Sequence, residues 1–185
     1  MSAVVVGFAG AIASGKTTLT VEVARLLNCK RVSFGDQVRA IALERGKEPL
    51  RENLQAIGEQ LVASDVENFC RAVLKQKGWK PGQSLVVDGI RHKEVLDTLK
   101  AIVAPTKLVL VFIEVNQDTL RARIENRALS HREIDDIQQH STEVQVKNVL
   151  PLVADCILDG HKSVAKLSEE VIDWLSEYPI RNNEI

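Results

Sequence analysis

The sequence predicts an α/β fold in which a parallel sheet of about five strands is covered by helices on both faces. Short apolar runs alternate along the chain with segments whose apolar residues recur at helical spacing. Such alternation is typical of parallel strands joined by helical crossovers. The chain has 185 residues, which favours one domain, assigned to residues 1–180, followed by a polar tail at residues 181–185.

The first strand and the first helix are the best-defined predicted elements. Residues 3–8 are apolar, rich in Val and bounded by Gly, as is typical of a buried strand. Leu19, Val23 and Leu26 recur at helical spacing, so a helix is expected to begin near Gly15. Residues 30–33 are then predicted to form a short second strand.

Helical spacing dominates the next part of the chain. Apolar side chains form one face in three segments, residues 36–45, 50–61 and 65–77. Gly46 and Pro49 separate the first two segments, and Gly78 and Pro81 follow the third. Because Gly and Pro interrupt helices, breaks are predicted between the first two segments and after the third, while residues 65–77 are expected to continue helically from residues 50–61.

Strands and helices alternate again in the second half. Residues 84–88 and 108–115 are predicted strands, the latter a central one, on either side of a helix at residues 95–102 that stops near Pro105. Residues 156–158 are the last predicted strand. Helices are predicted at residues 117–129, 144–150 and 163–174.

A phosphate-binding loop is predicted between the first strand and the first helix. Residues 10–17 read G-A-I-A-S-G-K-T, which matches G-x-x-x-x-G-K-T in the strand–loop–helix context that this motif requires. Loop N–H groups and the helix N-terminus bind phosphate oxygens, Lys16 reaches the β- and γ-phosphates, and Thr17 can ligate Mg²⁺. The alternative is a glycine turn that matches by chance. The predicted ATP-binding residues are Gly10, Ala11, Ile12, Ala13, Ser14, Gly15, Lys16, Thr17 and Thr18.

The residues that follow each strand are the next candidates, because ligands of parallel sheets bind beyond the carboxyl ends of the strands. Asp88 ends the predicted strand at residues 84–88. An acid there is expected to hold Mg²⁺ together with Thr17 and to serve catalysis with Lys16. The alternative is a turn or helix-capping Asp before Gly89. The presence of Lys16, Thr17 and Asp88 together disfavours a non-catalytic nucleotide-binding module.

Arginines near the predicted strand ends are candidates for phosphate binding. Arg39 and Arg91 are expected to bind an acceptor, because Arg forms bidentate pairs with phosphate. The alternative is a solvated surface role. Arg123 and Arg127 share a helix face and are expected to stabilise the transferring phosphoryl group. Their alternative is ion pairing with an acid such as Glu125.

The segment at residues 130–136 is highly charged, and two interpretations are open. It is either a solvated loop or part of a lid over about residues 128–142, with Arg132 pointing inward, that excludes water from the donor phosphates.

In their order along the chain, these motifs resemble those of nucleoside monophosphate kinases of the adenylate kinase type, across residues 7–164. The matching segments are S-F-G-D-Q-V-R at 33–39, D-G-I-R at 88–91, R-I-E-N-R at 123–127 and D-G-H-K-S-V at 159–164. The segment at residues 51–59 looks more like deoxynucleoside monophosphate kinases. The resemblance implies a three-layer P-loop NTPase fold with a short lid, ATP and Mg²⁺ as cofactors, and an acceptor-binding helical insert at about residues 36–80.

The implied reaction transfers the γ-phosphate of ATP to a nucleoside monophosphate or a similar nucleotide-like acceptor. If the acceptor is a hydroxyl, as in dephospho-coenzyme A kinase, Asp36 is the candidate base. Otherwise Asp36 contributes to the acceptor site or caps the helix that starts there. A regulatory P-loop ATPase is the other class of function. A GTPase is disfavoured because residues 116–119 read N-Q-D-T rather than N-K-x-D.

Composition limits the partners. The net charge is −1 without a basic stripe, so long nucleic acid is not an expected partner. Cys29, Cys70 and Cys156 form no C-x-x-C pair, which favours a reduced, cytoplasmic location and small buried side chains. The first apolar run is too short to span a membrane. Small-molecule nucleotides are therefore the expected partners.

Overall fold

The computed structural model describes residues 3–125 and 141–181. Within them, five strands form one parallel sheet in the order β2-β3-β1-β4-β5, which confirms the predicted α/β class. The strands are β1 (Val4–Gly10), β2 (Lys30–Ser33), β3 (Leu85–Asp88), β4 (Lys107–Glu114) and β5 (Cys156–Asp159).

The described helices follow the predicted order. They are α1 (Lys16–Leu26), α2 (Phe34–Glu44), α3 (Arg51–Lys75), α4 (Lys93–Val103), α5 (Gln117–Glu125), α6 (Ser141–Asn148) and α7 (Val164–Arg181), with a 3₁₀ turn at Leu150–Val153. The helical segments predicted at residues 50–61 and 65–77 are both part of α3. Asp65 interrupts it with extended backbone angles (φ −163°, ψ 79°), and its carboxylate accepts the N–H of Asn68 at 2.9 Å. α3 is thus continuous, as predicted, but kinked at Asp65, where the second part has its own cap.

Two apolar layers pack on opposite faces of the sheet. Along β1, Val5 and Ala9 belong to the layer formed with α2, α3 and α4, whereas Val6 and Phe8 belong to the layer formed with α1 and α7. Alternate residues of a strand point to opposite faces, so burial on both faces explains why the strands are almost continuously apolar. β4 is internal, as predicted, but the middle position of the sheet belongs to β1.

The register of the strands aligns the residues at their carboxyl ends. Ser33 at the end of β2 pairs with Asp88 at the end of β3, and Asp88 also pairs with Phe8 of β1. Because β2 is an edge strand, its last residue needs other partners. The Gln76 side chain provides them, accepting the Ser33 N–H at 3.1 Å and donating to the Ser33 carbonyl at 2.9 Å.

Several predictions concern residues beyond this description. The described residues do not include Arg127, most of the predicted lid (residues 128–140, with Arg132) or residues 182–185 of the tail. In the parts of the chain that are described, no helix combines the length and apolar character required to cross a membrane.

Candidate active site

The phosphate-binding loop connects β1 to α1. Gly10 begins it with φ 146°, and a Cβ at this position would lie 2.7 Å from the carbonyl oxygen of Ile113, so a larger residue does not fit. Gly15, with φ 91°, is the N-cap of α1. Since glycine has no side chain to cap the helix, the first N–H groups of α1 remain for an anionic ligand.

Lys16 is the first residue of α1, and its side chain folds over the loop. Its Nζ donates to the carbonyl oxygens of Gly10 and Ala11, each at 2.6 Å, and to Ser14 Oγ at 3.3 Å. These contacts hold the ammonium group inside the loop, where it can balance phosphate charge.

Thr17 and Asp88 meet at the carboxyl end of β3. Thr17 Oγ1 donates to Asp88 Oδ2 at 3.2 Å, and the Asp88 side chain is only 5% exposed. A hydroxyl and a carboxylate are hard oxygen ligands of the kind that Mg²⁺ takes alongside substrate phosphates, so the donor set fits this ion. The capping and turn alternatives for Asp88 are wrong: His92 is the N-cap of α4, and the N–H groups of Gly89 and Ile90 donate to the Phe8 carbonyl.

Arg31 is a site residue that the sequence analysis missed. Its Nη2 forms an ion pair with Asp88 Oδ2, its Nε donates to Thr20 Oγ1 at 2.8 Å, and its Nη1 lies 3.7 Å from Asp36 Oδ2. The sequence offered one signal for a role of Arg31, namely that it is a charged residue within a short predicted strand. Arg31 shares a strand face with Ser33, the register partner of Asp88, but that relation requires knowing that β2 lies beside β3.

Asp36 lies in the first turn of α2 without capping it. Ser33 Oγ accepts the Asp36 N–H at 3.2 Å, so Ser33 is the N-cap, and the alternative in which Asp36 caps the helix is wrong. The Asp36 carboxylate instead accepts from Arg39 Nη1 at 2.7 Å. Both side chains are more than half exposed, which leaves this pair accessible to a ligand.

One cavity of about 510 Å³ joins these groups. The phosphate loop from Ile12 to Thr18 forms one part of its wall, and α2 and α3 form another. Of the predicted site residues, it is lined by Ile12, Ala13, Ser14, Gly15, Lys16, Thr17, Thr18, Asp36, Arg39, Asp88 and Arg91. Arg51, Gln55 and Glu59 of α3 also line it; the sequence analysis noted the resemblance of residues 51–59 but gave these side chains no role in the site.

The apolar part of the cavity wall contains two aromatic rings. Phe34 and Phe69 meet edge to face, with ring centroids 5.1 Å apart and planes inclined at 74°. Val38, Leu54 and Val62 line the same cavity. The cavity therefore offers both cationic side chains and an apolar surface, a combination that suits an anionic ligand with an apolar or aromatic part.

Arg123 lies outside this lining but beside the phosphate loop. Its Nη2 donates to the Gly160 carbonyl at 3.0 Å and its Nη1 to the Ala13 carbonyl at 3.4 Å. These hydrogen bonds go to carbonyl groups and not to Glu125, so the ion-pair alternative is wrong for Arg123. The guanidinium ties the loop after β5 to the phosphate loop.

The loop after β5 is tightly packed at Gly160. A Cβ there would lie 2.4 Å from Val115 Cγ2 and 2.9 Å from the Glu114 carbonyl oxygen. Beside it, His161 Nδ1 lies 2.6 Å from Asp159 Oδ1. This hydrogen bond lowers the pKa of the Asp159 carboxyl below its ordinary value.

Comparison with protein families gives a match over most of the chain. The family model described as an AAA domain matches residues 6–147. A UPF0200 protein from Methanothrix thermoacetophila is 28% identical over 167 residues, covering 84% of this chain and 90% of the relative. A UPF0200 protein from Pyrobaculum aerophilum is 27% identical over 177 residues, covering 90% and 94%.

Solved structures share the fold. Shikimate kinase from Aquifex aeolicus superimposes with a TM-score of 0.61 at 15% identity, covering 95% of this chain and 98% of that one. APS kinase from Mycobacterium tuberculosis, in complex with AMPPNP and APS, gives a TM-score of 0.61 at 19% identity with the same coverage. A gluconokinase from Sinorhizobium meliloti gives 0.61 at 14%, covering 99% and 98%. At these identities the comparison shows the fold alone, which is the predicted P-loop kinase fold.

Proposed function

We propose that this chain, which belongs to the AAA domain family, is a P-loop kinase that moves the γ-phosphate of ATP to a nucleoside monophosphate or a similar nucleotide-like acceptor. One observation carries the proposal. A single cavity is lined both by the phosphate loop and by the arginines of the acceptor side, Arg39 and Arg91. A phosphoryl transferase needs its two anionic substrates in one such space.

On the donor side, the residues from Gly10 to Thr18 would bind the phosphates of ATP. Thr17 and Asp88 would hold Mg²⁺, which neutralises charge on the phosphates when bound. Lys16, held inside the loop by the carbonyls of Gly10 and Ala11, would place a positive charge at the transferring group. Charge placed there before reaction stabilises the transition state without reorganisation at the moment of transfer.

On the acceptor side, Arg39 and Arg91 would bind a phosphate group. The attacking oxygen of a phosphate is already anionic, so no general base is required. The Asp36 carboxylate, whose two oxygens face Arg39 and Arg31, would orient these arginines. A hydroxyl acceptor would have to displace those contacts before Asp36 could take its proton, which favours a phosphate acceptor.

Arg123 would act at the junction of the donor site. Its hydrogen bonds to the carbonyls of Ala13 and Gly160 place its charge beside the phosphate loop. Together with Arg127 it would stabilise the transferring phosphoryl group. The kinase names of the structural neighbours support a small-molecule acceptor, while the nucleotide-like class follows from the family resemblance and from the mixed apolar and cationic cavity.

The test is ADP release from ATP and Mg²⁺ in the presence of AMP, GMP, CMP, UMP, dTMP or dephospho-coenzyme A. Strong stimulation by one monophosphate is expected, and Lys16→Ala should lower that rate by at least about 100-fold. Lys30→Ala is the matched control, since Lys30 is exposed and, among the described residues, its ammonium donates to the Gly78 carbonyl alone. ATP loss that no acceptor stimulates would contradict the kinase and favour a regulatory P-loop ATPase.

A further inference from the structure

The donor and acceptor sides of the cavity are connected by one chain of polar contacts. Thr17 Oγ1 donates to Asp88 Oδ2, and the same oxygen pairs with Arg31 Nη2. Arg31 Nη1 faces Asp36 Oδ2 at 3.7 Å, and Asp36 Oδ1 accepts from Arg39 at 2.7 Å. The chain therefore runs from a predicted metal ligand to a predicted acceptor-binding arginine, with Arg31 at its centre.

The Arg31 guanidinium lies between the two acids and contacts both. The side chain is 20% exposed, and its Nε is anchored to Thr20 Oγ1 at 2.8 Å. The guanidinium group is planar, and its donors point in fixed directions. One nitrogen can therefore face Asp88 while another faces Asp36, an arrangement that the single ammonium of a lysine does not reproduce.

Asp88 is the acid whose charge most needs a partner. It is nearly buried, and a buried carboxylate is costly unless a positive charge or hydrogen bonds compensate it. In this structure Arg31 supplies that charge. A divalent cation held by Asp88 and Thr17 would supply it instead, which would leave the Arg31 guanidinium available to Asp36.

We propose that Arg31 is a positioning residue that couples donor binding to acceptor binding. This inference rests on the proposed function. When Mg²⁺ and a nucleotide occupy the donor side, the Arg31 guanidinium moves away from Asp88 and pairs more closely with Asp36. Asp36 then competes less for Arg39, which becomes available to the acceptor phosphate. Asp36 thus holds Arg39 back while the donor side is empty.

The consequence is a measurable coupling between two binding equilibria. Acceptor should bind more tightly when the donor side is filled, by about tenfold, within the usual range of coupling factors. Because coupling is reciprocal, the acceptor should raise the affinity for the donor by the same factor. Arg31→Lys should bring this factor close to one, because lysine keeps the charge but not the two-pronged geometry.

The experiment is equilibrium titration calorimetry with the non-hydrolysable analogue AMPPNP and Mg²⁺. The acceptor is the monophosphate that stimulates ADP release most, and its Kd is measured with and without Mg²⁺·AMPPNP. Wild type should show the coupling, and Arg31→Lys should lose it while changing the Kd for Mg²⁺·AMPPNP alone by no more than a few-fold. Arg45→Lys is the control, because exposed Arg45 at the end of α2 contacts Gln60 and should retain wild-type coupling.

Each outcome bears on one of the two proposals. If Arg31→Lys keeps the wild-type coupling, or if a catalytically competent wild type shows none, the role of Arg31 is refuted and the kinase function stands. If wild type neither binds nor phosphorylates any member of the panel, both proposals fail. If Arg31→Lys does not fold, Asp36→Asn serves in its place, since Asp36 is 57% exposed; wild-type coupling in that variant would overturn the inference.

Discussion

Arg31 forms an ion pair with Asp88 through Oδ2, the carboxylate oxygen that also accepts the Thr17 hydroxyl. The pair joins neighbouring strands β2 and β3 at the carboxyl edge of the sheet. Asp88, which is predicted to hold a metal ion, is therefore also paired with a positive charge of the protein itself. This relation has consequences for stability as well as for binding.

Replacing Asp88 by Asn should destabilise the fold. The change keeps the shape of the side chain but removes the charge that compensates Arg31, and hydrogen bonds to charged groups contribute about 2 kcal/mol. Asp36→Asn is the comparison, because exposed ion pairs contribute at most about 1 kcal/mol. Urea denaturation followed by circular dichroism measures both. Equal decreases in the free energy of unfolding of the two variants would show that the Arg31–Asp88 pair contributes no more to stability than an exposed ion pair.

Replacing Arg39 by Ala should impair acceptor use far more than ATP binding. Arg39 lines the cavity on α2 and its only described ion pair is with Asp36. We expect the acceptor KM to rise by at least about tenfold, the loss that follows removal of a charged hydrogen bond, while the ATP KM changes little. Steady-state kinetics with each substrate varied in turn test this.

Arg45→Ala is the matched control for that variant. Arg45 terminates the same helix and donates to Gln60 on the exposed surface. It should leave both KM values unchanged. Comparable increases in the KM for ATP and for the acceptor in Arg39→Ala would refute the assignment of Arg39 to the acceptor side.

Replacing Gly160 by Ala should cost about 1–3 kcal/mol of unfolding free energy, because added atoms in a packed site force the backbone to shift. The new Cβ would meet the Glu114 carbonyl oxygen at 2.9 Å as well as Val115. Gly58→Ala gives the opposite expectation. Its Cβ would find ordinary contact, 3.9 Å from Val38 Cγ2, and Ala is favoured over Gly inside a helix by about 1 kcal/mol. Denaturation curves in which Gly160→Ala matches wild type would be inconsistent with this packing.

Cys70 should make the stability depend on pH in the alkaline range. Burial, with a smaller contribution from the charge of Glu67, raises the pKa of the Cys70 thiol to about 12. In the unfolded chain the thiol ionises near its ordinary value of about 8.5. Above that pH the unfolded state binds fewer protons than the native state, so rising pH favours unfolding, by up to about 1.4 kcal/mol per pH unit.

The comparison that isolates this effect is Cys70→Ala against wild type. Alanine has no proton to lose, so the stability advantage of wild type should shrink between pH 8 and pH 10.5. Urea denaturation at a series of pH values gives the difference directly. A constant difference across the series would mean that the native thiol ionises as readily as the unfolded one.

Local sequence was sufficient for the phosphate loop and for most of the helices. A loop between a buried strand and a helix depends on residues within a short stretch, and the φ angles of Gly10 and Gly15 are ones that glycine adopts without strain. The kink at Asp65 also has a local cause, because the Asp65 carboxylate caps the residues that follow it, but the sequence analysis predicted no break there. The helical period, the glycines and the acid at the end of β3 were all visible in the sequence.

The partners of those residues required the tertiary structure. Capping of α2 was one of the interpretations left open for Asp36, but Ser33 is the cap. Either polar side chain satisfies the local pattern, and only the backbone path at the end of β2 decides between them. Likewise, nothing in the local sequence around Lys30–Ser33 indicates that Arg31 faces an acid 57 residues away.

By itself, the sequence determined the α/β class, the phosphate loop and the identity of Lys16, Thr17 and Asp88 as candidates, because each depends on periodicity or on a contiguous motif. The strand order β2-β3-β1-β4-β5 decided the rest. In this order Arg31 lies beside Asp88, and Asp36 lies close to both Arg31 and Arg39. The phosphate loop, α2 and α3 then line one cavity. Neighbouring strands of a parallel sheet are far apart in the chain, so these contacts form only once the whole sheet has assembled.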